Sequence, residues 1–180
     1  GSNWKDGQEV ALRILGLTFG YYAFRHHPES TSERQMKLAQ LIAALTERIN
    51  SNIDYAIFTR SNHTISEGFG LWLVGTLFPE FRNAENYQRK GKRILEKEAV
   101  QQIYPDGGYS MHSINYHRFV LHLYIFAIRI AELNAQKFSD SVYQAVERSV
   151  EYLYHLIQIE SGRVPLYGSN DGALVLPFNS

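Results

Sequence analysis

The sequence predicts an all-α fold built from antiparallel helix pairs, and three observations carry that expectation. Apolar residues recur at helical spacing in six separate stretches, turn residues punctuate the gaps between them, and no convincing strand pair appears. Loops of this modest length join helices that lie side by side. Periodicity leaves two arrangements open: a bundle, or part of an incomplete (α/α) toroid.

The first helix is expected over roughly Glu9 to Phe24, apolar on most sides and therefore deeply buried. A turn at Pro28-Glu29-Ser30 precedes the second, with Ser32 and Gln35, or Ser30 and Glu33, offering a capping box. Leu38, Leu41, Ile42, Leu45 and Ile49 mark its apolar stripe. A third helix begins near Ile65 and ends before Pro79, and a fourth spans about Ala84 to Ile103. Pro105-Asp106-Gly107-Gly108 is a strong turn, after which a fifth helix covers about Ile114 to Ala135. The sixth follows Asp140 and carries Val142, Val146, Leu153 and Ile157 on one side. Residues 161–180 hold Gly162, Pro165, Gly168, Gly172 and Pro177 and are expected to be loop. Gly1-Ser2 has the look of a cloning remnant, so the domain is taken as residues 3–180 of a larger protein.

At 180 residues the chain suits one domain with a substantial core, burying roughly 70% of its unfolded surface. Lys plus Arg equals Asp plus Glu at 18 each, which argues against a nucleic-acid partner, and no apolar run is long enough for a membrane span. There are no cysteines, which excludes disulfides, thiolate metal sites and cysteine nucleophiles. The sequence shows no HExxH, phosphate-loop or GxSxG motif and no metal-type spacing, so neither a metal nor a cofactor is expected. Aromatic residues reach 13%, with 12 Tyr and 10 Phe. Flat side chains stack on sugar rings, and they also fill helical cores; composition does not choose between these roles.

Two polar clusters carry the candidate chemistry. In Ser61-Asn62-His63-Thr64-Ile65-Ser66-Glu67, Thr64 and Glu67 have capping-box spacing, which would put Asn62 and His63 in the loop just before a helix. Free N–H groups and the positive end of the helix dipole favour an anion there. An Asn amide can donate to a carboxylate and a His can move a proton near neutral pH; equally, the segment can be an Asn-rich turn that caps its own backbone.

The second cluster runs from Gln101 to Arg118 and passes from a turn into a helix, bringing Tyr109, Asn115, Tyr116 and His117 together. An unperturbed phenol is a poor base at neutral pH, and neighbouring cations such as Arg118 can change that. Tyr116 also shares a helical face with Val120, Leu123 and Ala127, which makes it a core candidate too. His26-His27 fits a solvated helix end, and the mixed charges from Arg82 to Lys97 fit a solvent face.

Taken in order, these segments resemble the helical domain of the heparinase II/III-type polysaccharide lyases. The similarity covers Trp4, Glu9 and Arg13, then Asn62-His63 with Glu67, Gly70-Leu71 and Phe78-Pro79-Glu80. It continues through Gln102, Asp106-Gly107, Ser113, Tyr116-His117 and Gly168-Ser169-Asn170-Asp171-Gly172.

The resemblance implies an incomplete α/α toroid, normally followed in the same chain by a C-terminal β-sandwich that these residues do not include. It also implies an acidic, uronic-acid-containing polysaccharide as substrate, cleaved by β-elimination, and a periplasmic or secreted location. Carried over by position, Asn62 and His63 would hold the uronate carboxylate, and Tyr116 would be the acid or base. His117, Glu67, Asn115, Tyr109 and Asp171 would contact the sugar.

Met111 stands where many members have an acidic residue, a departure similar to the branch associated with exopolysaccharide genes. The family also draws a further histidine from beyond the helical region, so these residues alone are expected to be inactive. The alternative is a non-catalytic glycan-binding or scaffolding toroid, which Met111 favours. A toroidal glycoside hydrolase ranks last, because Glu67, Asp106 and Asp171 form no convincing pair of acids.

Overall fold

A computed structural model of the chain describes residues 6–172 and 175; Gly1-Ser2, Trp4 and Pro177 lie outside the described residues. It contains α1 (Gly7–Phe24), α2 (Ser32–Thr59), α3 (Asn62–Leu77), α4 (Ala84–Gln102), α5 (Ile114–Leu133) and α6 (Asp140–His155). Among the described residues the only β pairing is an isolated antiparallel bridge between Ile103 and Tyr109. No described helix is long and apolar enough to cross a membrane. The chain divides into two compact units, Gly1–Lys92 and Arg93–Ser180.

In the first unit α1, α2 and α3 pack on one another. The buried helix is α3: Asn62 and every residue from Thr64 to Thr76 are buried. The expected deep burial of α1 is not observed. One stripe of α1 is covered, at Val10, Ala11, Ile14 and Thr18, whereas Phe19 and Phe24 are 68% and 62% exposed. Glycine explains why α3 takes the central place. A Cβ at Gly70 would meet the Ala11 Cβ at 3.0 Å, and one at Gly75 would meet the Gln88 backbone nitrogen at 2.3 Å. From the other side, a Cβ at Gly91 would fall 2.4 Å from the Trp72 backbone nitrogen. Small residues thus let the backbones of α3 and α4 approach more closely than side chains permit.

The stripe on α2 is present at Ile42, Leu45 and Ile49 and extends to Ile53 and Ala56, but Leu41 faces outward. Its N-cap is Thr31, whose hydroxyl accepts from the Arg34 N–H; neither capping box expected at Ser30 or Ser32 caps the helix. In the second unit α5 packs on α6. Helix α5 stops at Leu133 because Asn134 caps it and Ala135 turns left-handed, at φ 53°. Ile157, expected on the α6 stripe, falls beyond the helix end. The described part of the 161–172 tail is loop, as expected, and it is anchored. Tyr167 C=O accepts from the Ile114 N–H at 3.1 Å, and Ser169 C=O accepts from the Ser113 hydroxyl at 2.5 Å. Gly168 makes this possible: it has φ +74°, and a Cβ there would lie 2.1 Å from the His112 carbonyl oxygen.

Candidate functional site

The first cluster sits where the N-termini of α1 and α3 meet. The cap of α3 is Ser61, not Thr64: the Ser61 hydroxyl accepts from the His63 N–H, and the Thr64 hydroxyl accepts from the Ser61 N–H. The helix therefore starts three residues earlier than the sequence predicts, because serine competes with threonine for the cap and wins the reciprocal pairing. Asn62 and His63 belong to its first turn instead of the preceding loop, and Glu67 stands one turn further in.

Asn62 is buried, and its side-chain amide donates to Gln8 Oε1 at 2.6 Å. Ser66 donates to the same oxygen at 3.2 Å, so Gln8 ties α1 to α3. His63 is half-buried, with Nδ1 3.1 Å from Asp6 Oδ1. Asp6 is itself the N-cap of α1, accepting from the Gln8 N–H at 2.8 Å. Glu67 is 5% exposed, and no hydrogen bond or ion pair to a described residue engages its carboxylate. Burial, together with the negative charge of Asp6, pushes Glu67 up to about 7. Of these, Asp6, His63 and Glu67 line a cavity of about 400 Å³ with Gly7, Tyr55, Thr59 and Ser61. Asp6, Tyr55 and Thr59 were not singled out from the sequence. Asp6 could have been read as a helix cap, but nothing local says that it meets a residue 57 positions later.

The second cluster is built where α5 begins. Ser113 is the N-cap, accepting from the Tyr116 N–H at 3.2 Å. The Tyr116 hydroxyl donates to Asp171 Oδ2, which joins the start of α5 to the Gly168–Gly172 segment. Tyr116 is half-buried, and its ring meets Phe119 edge-on, with centroids 6.4 Å apart. Asn115 is buried, with its Oδ1 accepting from Arg118 at 3.3 Å.

Tyr109 and His117 lie deeper. The Tyr109 hydroxyl donates to Gln102 Oε1 at 3.0 Å, and Gln102 donates to the buried Glu98 at 2.8 Å. Burial, then the Glu98 charge, raises the Tyr109 phenol far above its ordinary value, so this tyrosine stays protonated. His117 is 2% exposed, with Nε2 2.6 Å from Ser149 Oγ and its ring between Tyr109 and Tyr152. Burial lowers it to about 4, only partly opposed by Asp106, so it is neutral near pH 7. Both rings line a cavity of about 120 Å³ with Tyr104, Asp106 and Tyr167, small for a sugar ring. Met111 is 38% exposed, in the turn that leads to α5.

The arrangement offers two kinds of chemistry: an imidazole and two carboxylates lining a cavity in one unit, and an accessible phenol paired with a carboxylate in the other. The chain is similar to proteins of known activity. Over 141 residues it is 28% identical to a heparin-sulfate lyase of Bacteroides thetaiotaomicron, covering 74% of this chain and 20% of the relative. A heparin-sulfate lyase of Pedobacter heparinus is 27% identical over 164 residues, which is 90% of this chain and 24% of that protein. The crystal structure of heparinase III superposes with a TM-score of 0.72 at 26% identity, over 84% of this chain and 23% of that one. The heparan sulfate lyase HepC of Pedobacter heparinus shares the fold, with a TM-score of 0.67 at 22% identity over 88% of this chain. The chain thus spans about a fifth to a quarter of the length of these lyases, and its helices are those of an (α/α) toroid. The family defined as the heparinase II/III N-terminus matches residues 1–172, and the chain belongs to it.

Proposed function

We propose that this chain is the helical part of a lyase that cleaves uronic-acid-containing polysaccharide by β-elimination. The observation that carries the proposal is the hydrogen bond from Tyr116 to Asp171, within a chain that matches the lyase family over residues 1–172. Tyr109 and Tyr124 donate to acceptors inside the protein, at Gln102 and at the Leu95 carbonyl. Tyr116 is half-buried and has a carboxylate that can take up its proton.

In the reaction the C5–H bond breaks, the electron pair forms the C4–C5 double bond, and the C4–O bond of the glycoside breaks. The leaving oxygen takes a proton. Tyr116 supplies that proton and, once Asp171 has relieved it of its own, accepts the one from C5. His63 and Asn62 neutralise the uronate carboxylate, which makes the C5 proton more acidic by stabilising the charge that develops. For Asn62 this requires its amide to leave Gln8 for the substrate. Glu67 stands one turn beyond His63 on α3, Asn115 precedes Tyr116 in the first turn of α5, and Tyr109 and His117 pack beneath the start of α5. A further histidine from beyond these helices would complete the site.

Heparan-sulfate-type chains are the first substrate to test, because the relatives are named for acting on heparin sulfate. The full-length protein is incubated with the polymer and followed by the ultraviolet absorbance of the new double bond conjugated to the carboxylate. Tyr116→Phe abolishes the signal and leaves the helical circular dichroism unchanged; full activity in that variant removes Tyr116 from the mechanism. Met111, exposed where acidic residues are common in the family, favours a second reading of glycan binding without cleavage. Saturable binding with no absorbance change would decide for it.

A further inference from the structure

The cavity between the N-termini of α1 and α3 places beside His63 and Glu67 a second carboxylate, Asp6, that the elimination chemistry does not call for. Asp6, His63 and Glu67 each direct a ligand-type atom into it, and these atoms lie within 4.8 Å of one another. His63 and Glu67 are four residues apart on α3, so both project from one face, one turn apart. Asp6 comes from the other helix, held in place by its bond from the Gln8 N–H through Oδ1.

Two carboxylates in one pocket repel each other unless something positive lies between them. His63, if protonated, can serve Asp6, at 3.1 Å. It leaves Glu67 unexplained: a carboxylate that is 95% buried, lines the cavity and has no partner among the described residues. The backbone is also shaped around it. A Cβ at residue 7 would lie 2.2 Å from Glu67 Oε1, so Gly7 leaves the space that the carboxylate occupies.

We propose that Asp6, His63 and Glu67 hold a divalent transition-metal cation of the zinc class in this cavity. The donor set selects the metal. An imidazole nitrogen with two carboxylate oxygens suits zinc and its neighbours, whereas magnesium and calcium take oxygen ligands in larger number. Ligands at about 2.1 Å from a tetrahedral centre are roughly 3.4 Å apart. The Asp6–His63 pair, at 3.1 Å, is close to that spacing already, and small side-chain rotations bring in Glu67. Three protein ligands leave a fourth position open toward a cavity of about 400 Å³. Metal on Nδ1 leaves the other ring nitrogen of His63 able to donate, so the site is compatible with the lyase reading and does not rest on it.

The test uses the full chain without an affinity tag, stripped with a chelator and then equilibrated with zinc chloride by dialysis at micromolar concentration. One zinc per chain is expected by elemental analysis, with a rise in the thermal unfolding midpoint and no rise with magnesium chloride. Glu67→Gln and Asp6→Asn are each expected to weaken zinc binding at least tenfold. Asn is a competent helix cap, so Asp6→Asn keeps the start of α1 and decides the matter should Glu67→Gln fail to fold. Absence of stoichiometric zinc in the unaltered chain overturns the proposal. So does unweakened binding in a variant with unchanged circular dichroism. Zinc is measured without polysaccharide, so a negative result here leaves the lyase reading standing. Likewise, an inactive enzyme leaves the metal site standing.

Discussion

The hydroxyl of Tyr116, in the first turn of α5, donates to the carboxylate of Asp171, 55 residues later in the chain. Two groups of opposite habit, a proton donor and a proton acceptor, are thereby coupled at a partly exposed position. If the carboxylate takes up the phenolic proton during turnover, Asp171→Asn lowers kcat by at least tenfold, with a smaller effect on KM. Tyr116→Phe lowers it by about 10²–10⁴-fold, the usual worth of a positioned acid or base. The conjugated-product absorbance assay reads both, and an Asp171→Asn enzyme with unchanged kcat would refute the coupling.

Acid should destabilise the second unit through His117. Its folded value, about 4, lies below the ordinary 6.5, so the unfolded chain binds a proton that the folded chain refuses. The sign is then settled: stability is fully present above about pH 6.5 and is lost as pH falls toward 4. The total is on the order of 3 kcal/mol, at 1.36 kcal/mol for each unit. Urea unfolding followed between pH 7.5 and 4.5 should show the decline, and His117→Gln should flatten it. A profile that is equally steep in the variant would place the sensitivity elsewhere.

Gly91→Ala should destabilise the first unit despite alanine's better helix propensity. Propensity favours alanine by about 1 kcal/mol. Against it, the added Cβ would lie 2.4 Å from the Trp72 backbone nitrogen and 2.5 Å from the Gly68 carbonyl oxygen. Backbone cannot step aside as a flexible side chain does, and overpacking of this kind costs about 1–3 kcal/mol or more. A net loss of about 1–2 kcal/mol in a chemical denaturation experiment is expected, from the upper half of that cost less the propensity gain. Gly16→Ala, where nothing lies within 4 Å of the new carbon, is the control and should be neutral or stabilising.

The reciprocal pairing of Ser61 with Thr64 predicts that Ser61→Ala loses about 1 kcal/mol of stability, the usual worth of an N-cap. Thr64→Ser keeps the hydroxyl and should lose less. If the two variants were equally stable to urea, the cap would lie elsewhere than Ser61.

Much of the fold was legible in the residues. The α4 and α5 boundaries follow from Pro105-Asp106-Gly107-Gly108 and the apolar spacing on either side, and the observed helices begin and end within two residues of the expected ones. Less legible was the choice among neighbouring caps: Ser61 and Thr64, or Ser30, Thr31 and Ser32, differ little as isolated residues. The order of burial was misread as well. Apolar content made α1 look deeply buried, yet in the first unit it is α3 that is buried, because its glycines admit neighbouring backbone.

The amino-acid order alone determined that the chain is helical, that polar side chains cluster near Asn62-His63 and Tyr116-His117, and which family it resembles. These depend on spacing along the chain, which local backbone preferences translate directly into structure. Tertiary structure alone decided that Asp6 meets His63 and Glu67, that Asp171 meets Tyr116, and that His117 and Tyr109 are turned inward. Such meetings follow from how helices pack and from how little water reaches each side chain, and neither quantity is written in any short stretch of sequence.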